Sequence, residues 1–147
     1  MTQAAVEIGA HEAWRAGDML GLRVRGALTP RDIDALQRAV SATLAAEGRC
    51  FLLADLTAMA GLDPVARRRI AEWSRGEDDK VDAVAVHGCS FAMRTLITLT
   101  LNAIKLLGRQ QTETVYLRDE AAARGWIDAR RAATPRRGPQ GPSAREA

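Results

Sequence analysis

Aromatic side chains are scarce: two Phe, one Tyr and three Trp make up 4% of the 147 residues, so any core built here rests on aliphatic packing. Cysteine is scarcer. Cys50 and Cys89 stand alone, in no CxxC and at no metal-ligand spacing, which excludes a disulfide framework and predicts a reduced, cytoplasmic chain. The only histidines, His11 and His87, do not assemble a triad or a metal cluster, so no metal, no cofactor and no catalytic residue is expected. No stretch reaches the roughly 18 uncharged apolar residues of a membrane span. The opening MTQAAVEIGAHEAW has neither a basic start nor an apolar core of signal-peptide length, which predicts no export.

What is present is the ordinary balance of a globular domain, 47% hydrophobic against 27% charged, over a length that suits one domain. The formal charge of +3 is concentrated at the end. Arg136, Arg137 and Arg145 against Glu146 place +2 in Ala133–Ala147 and leave +1 for the rest, so the globular part is near neutral and no nucleic-acid partner is expected.

The chain punctuates itself clearly. His11–Ala16 and Met19–Gly26 flank Ala-Gly-Asp, and MLGLRVRG alternates apolar with Gly or Arg, which predicts a hairpin with one wet face. Thr29-Pro30 is a start signal for a helix carrying Ile33, Leu36, Val40 and Leu44, closed by Gly48. CFLLADL reads as a strand buried on both faces. Asp63-Pro64 opens a second helix through Ala66, Ile70 and Trp73, with Arg67, Arg68 and Arg69 on its exposed side. VDAVAVHG is a further strand, and TVYLRD precedes a final helix over Glu120–Ala132.

Phe91–Leu107 contains the strand-like alternation Thr98-Leu99-Thr100-Leu101, yet its length, with Ser90 before it and Gly108 after it, predicts a helix. Its apolar residues, including Phe91, Met93, Leu96, Ile97, Leu99, Leu101 and Ile104, exceed one stripe. One sheet face cannot hide them all, so they are the expected ligand or partner face, unless the helix is buried on both sides. The domain plan is a lead-in at 1–10, a domain at 11–132 and a disordered Pro/Gly/Arg tail at 133–147.

The order hairpin, helix, strand, helix, strand, helix, strand, helix, with LLADLTAMAGLDPVARRRIAEW, VAVHGCSFAMR and YLRDEAAARGWI, resembles the STAS superfamily, and within it the SpoIIAA-like (STAS/SEC14-type) bacterial proteins. The resemblance implies an α/β domain, a small mixed sheet with helices packed on it. The residues themselves lead to a mostly parallel sheet with an antiparallel edge, and the opening hairpin counts against a flavodoxin-like rival. Anti-sigma factor antagonists of this superfamily carry a phosphorylated serine directly after an aspartate at a helix start. The matching positions here are Asp63, Pro64, Val65 and Ala66, and proline and valine accept no phosphoryl group.

The switch region thus reduces to Asp55, Thr57 and Asp63: Asp55 at the end of a strand, Thr57 in the turn as a backbone-bonding residue or a remaining acceptor, and Asp63 as a helix cap. In VHGCSFAMR a thiol at a helix start beside His87 and Arg94 suggests nucleophilic chemistry. The bulky, glycine-free residues between Cys89 and Arg94 do not form an anion cradle. The expectation is therefore a non-catalytic regulatory or protein-interaction domain, binding a protein partner or a second copy. The alternative is a binder of a small apolar or lipid-like ligand through Phe91–Leu107, near Trp73 or Trp126.

Overall fold

A computed structural model describes residues 3–76, 79–105 and 112–137, with side chains at 103–105 excepted. The chain runs β1 (Ala4–Ile8), β2 (His11–Ala16), β3 (Met19–Leu28), α1 (Pro30–Glu47), β4 (Phe51–Leu62), α2 (Pro64–Arg75), β5 (Ala83–His87), α3 (Phe91–Lys105), β6 (Glu113–Leu117) and α4 (Glu120–Ala133). The strands form one six-stranded sheet in sequence order. β1, β2 and β3 pair antiparallel, and β3 through β6 pair parallel.

This order dictates the layers. Each parallel connection steps one strand further in the same direction, and right-handed crossovers then put every connecting helix on one face. Accordingly Leu36 and Val40 of α1, Trp73 of α2 and Ile97 of α3 pack with Leu20, Leu22, Val24, Leu52, Ala54 and Val86. α4 follows the last strand and covers the other face, where Ala123 and Ile127 meet Met19, Phe51, Leu53, Ala83 and Ala85. Both faces of β4 are therefore dry over Phe51–Ala54, as that continuous apolar run requires.

Helix starts follow the sequence signals. Thr29, just before Pro30, makes a reciprocal capping box with Asp32, and Gly48 closes α1 at φ 75°, the left-handed conformation that glycine tolerates. Asp63 accepts from the amides of Val65 and Ala66, Ser90 Oγ from that of Met93, and Asp119 from that of Ala122.

Four expectations need correction or extension. Residues 4–8 of the supposed lead-in are strand β1, paired along its length with β2 across a tight turn at Gly9. The segment 57–62 is strand, not turn, because β4 continues beside Arg25–Leu28 of β3 past two register shifts; Thr57 thus lies within a strand. α3 is helical through Lys105, while Leu106 and Leu107 lie outside the described residues. Thr134–Arg137, read as tail, are anchored: the Arg137 amide donates to Gly48 O at 2.8 Å, Arg136 pairs with Glu47 and Arg137 with Asp82. Residues 138–147 of that tail lie outside the described residues.

Candidate functional site

Between the sheet and its three-helix layer lies an apolar cavity of about 200 Å³. Its floor is Leu22 and Val24 of β3, Leu52, Ala54 and Leu56 of β4, and Val84 and Val86 of β5. Alternation along each strand turns these residues to one face. Its roof is Ile33 and Leu36 of α1, Ile70 and Trp73 of α2, and Ile97 and Leu101 of α3.

The cavity exists because the middle of the floor is short. Ala54 and two valines stand where larger residues would reach the helices, and aromatic residues to fill the gap are few. An engineered apolar cavity of about 150 Å³ stays dry and binds benzene, so this space is of ligand size. Trp73 is fixed at the rim by its indole N–H, which donates to Asp79 O at 2.7 Å.

The predicted α3 face divides in two. Ile97 and Leu101 line the cavity, and Met93 and Leu96 are half-buried. Phe91 and Leu99 point to solvent, 87% and 63% exposed. Nothing on the described part of α3 is fully buried, so the doubly buried alternative fails; the Ile104 side chain lies outside the described residues. Trp126, expected near this helix, belongs to α4 and packs on the opposite face of the sheet.

The switch residues separate. Asp55 and Thr57 meet: the Thr57 hydroxyl and amide donate to Asp55 Oδ1 at 2.6 and 2.9 Å. They belong to a polar row on the α4 face, in which Glu12, Arg23, Asp55 and His87 are lateral neighbours on adjacent strands. Burial alone would raise the Asp55 pKa; the Thr57 bonds, His87 and Arg23 outweigh it and hold the carboxyl below its usual range. His87 is buried and its Nε2 has no partner among the described residues. Asp63 is apart, past the end of β4, where its carboxylate caps α2.

The other chemical candidates are structural. Burial pushes the Cys89 thiol up, against the pull of Arg94, so it stays protonated and a poor nucleophile at neutral pH. Cys50 is pushed up to about 12 by burial. His11 accepts from the Arg25 amide at Nδ1, so Nε2 carries the proton and donates to buried Asp32 at 2.8 Å. Within the arginine run, Arg69 is committed to Asp34 on α1. Among the described residues no group of three His, Cys, Asp or Glu is placed to hold a metal ion, and no helix is long and apolar enough to cross a membrane.

Of the residues singled out from the sequence for a ligand, Ile97, Leu101 and Trp73 line the cavity, and none of its floor is among them. The available signal was the small residues at helix-facing positions of β4 and β5.

These features define a class: a small mixed-sheet α/β domain with an apolar chamber beneath one helical layer. The sequence profile of the SpoIIAA-like family matches residues 19–128, and the chain belongs to that family, within the STAS superfamily. Among solved structures it is similar to an uncharacterised protein of the DUF3478 family with a SpoIIAA-like fold from Shewanella loihica PV-4. That likeness has a TM-score of 0.57 at 19% identity, covering 86% of this chain and 96% of the other. No curated protein sequence matches the chain.

Proposed function

We propose that this chain is a non-catalytic binding domain whose cavity holds a small apolar molecule, and that it signals without the serine phospho-switch. The observation that carries the reading is the cavity of about 200 Å³ with an almost wholly apolar lining. An apolar occupant would take this lining out of water, which stabilises the folded chain. The raised Cys89 pKa supports the non-catalytic part.

Toluene tests the reading. At concentrations well above its Kd it should raise the thermal midpoint by several degrees, since roughly 100-fold excess over Kd is worth about 2.7 kcal/mol. An unchanged midpoint across the soluble range of toluene contradicts it.

A second reading rests on a separate observation, the exposure of Phe91 and Leu99 on α3. They give this cytoplasmic domain a face for a protein partner or a second copy. If the chain self-associates in ultracentrifugation, Leu99→Glu should leave it monomeric with its stability unchanged.

A further inference from the structure

The antiparallel end of the sheet stops at β1, which pairs with β2 on one side only. Ala4, Ala5 and Glu7 of this strand are exposed. Ile8 and His11 flank the two-residue turn Gly9-Ala10, with Gly9 at φ 56°, so they form a hydrogen-bonded pair and the bonding alternates from there. Ile8, Val6 and Ala4 thus turn their amides and carbonyls toward β2. Those of Ala5 and Glu7 point off the sheet, and among the described residues no turn, loop or cap bond reaches them.

Natural edge strands are commonly blunted by lysine, proline or a bulge. In β1 the run AAVEI has neither residue, and its register with β2 is unbroken. It is a regular template for one more strand.

The residues select that strand. When β1 pairs antiparallel with a second copy about Val6, Ala5 stands opposite the partner's Glu7, in a bonded pair repeated on each side of the two-fold axis. Ala4 then meets the partner's Ile8, and the apolar row Ala4, Val6, Ile8 continues across the seam on the face that α1 covers. Centring on Glu7 instead sets two carboxylates face to face, which is destabilising. Centring on Ala5 takes Glu7 and Ile8 past the start of the other strand.

We infer that β1 is a self-association edge, at which two copies join antiparallel about Val6 into one continuous sheet. The two-fold axis stands perpendicular to that sheet, so both helical layers, each over its own cavity, lie on the same side. A five-residue strand buries too little for a tight dimer, and the association is weak and concentration-dependent. The second copy thus belongs to β1, and the exposed face of α3 is left for a different protein.

Sedimentation velocity from micromolar to millimolar chain should show a monomer–dimer equilibrium. Ala5→Pro removes only an outward amide, so it should abolish the dimer and keep the monomer folded. Two charge variants test the register without relying on the proline. Ala5→Lys, facing the partner's Glu7 in two symmetric pairs, should tighten the dimer by about five-fold, and Ala5→Glu should weaken it by about as much. In hydrogen exchange the Ala5 and Glu7 amides should gain protection as concentration rises, while that of Val6 is protected throughout. A chain that is monomeric at millimolar concentration overturns the inference, and so does a dimer indifferent to both charge variants. A dimer lost in Leu99→Glu but kept in Ala5→Pro also overturns it, and moves self-association to α3.

Discussion

Asp18 is a buried carboxylate held by two arginines. It sits in the β2–β3 turn, 2% exposed, and accepts from Arg49 at 2.7 Å and from Arg131 at 2.7 Å, tying that turn to the start of β4 and the end of α4. Burial would raise its pKa, but the bonds from Arg131 and Arg49 outweigh it and hold the carboxyl below its ordinary value. With the folded pKa beneath the unfolded one, the stabilisation is present above the unfolded carboxylate pKa. It is lost as pH falls through the folded value. Asp18→Asn should therefore cost about 3 kcal/mol near pH 7 in urea unfolding. The deficit should shrink as acid protonates the native aspartate; a deficit independent of pH contradicts the account. Cys89 is the residue for a second check: iodoacetamide should label it no faster than free cysteine at neutral pH, and faster labelling would show an acidified thiol.

At the scale of elements, helix starts are the most legible part of the chain, because a cap is a local bond between neighbouring residues. Asp63 is such a cap, and Asp63→Ala should lower stability by about 1 kcal/mol with toluene affinity unchanged; a lost affinity would tie this residue to binding. Strand ends are less legible. LTAMAGL reads as a turn because Gly61 and the alanines weaken its β signal, yet pairing with the far end of β3 keeps it extended. β1 escaped for the same reason, since Ala4-Ala5-Val6 gains its conformation from β2. Gly21 takes a non-apolar place in the alternation of β3, while its role is to admit the Trp14 indole, whose Cε2 would lie 2.0 Å from any Cβ there. Only the tertiary partner explains such a residue.

At the scale of the whole molecule, the cavity follows from topology. Three crossovers in one direction place three helices over one sheet face, and short residues at its centre leave the space that this layer encloses. Sequence periodicity shows that α3 has more apolar surface than a stripe, but it does not say which part faces inward; that depends on where α2 and the sheet stand. Hence Ile97 and Leu101 were grouped with Leu99, although the first two line the cavity and the third meets water. The cavity itself has no sequence signature, because a void is a property of facing residues from several elements.

The most direct measurement compares toluene binding by calorimetry in the wild type and in Ala54→Leu, which extends the floor into the cavity. The account predicts saturable binding to the wild type and at least ten-fold weaker binding to the variant, whose thermal midpoint equals or exceeds that of the empty wild type. Equal affinity in both proteins, or no saturable binding to the wild type, would contradict the claim that this space is a ligand site.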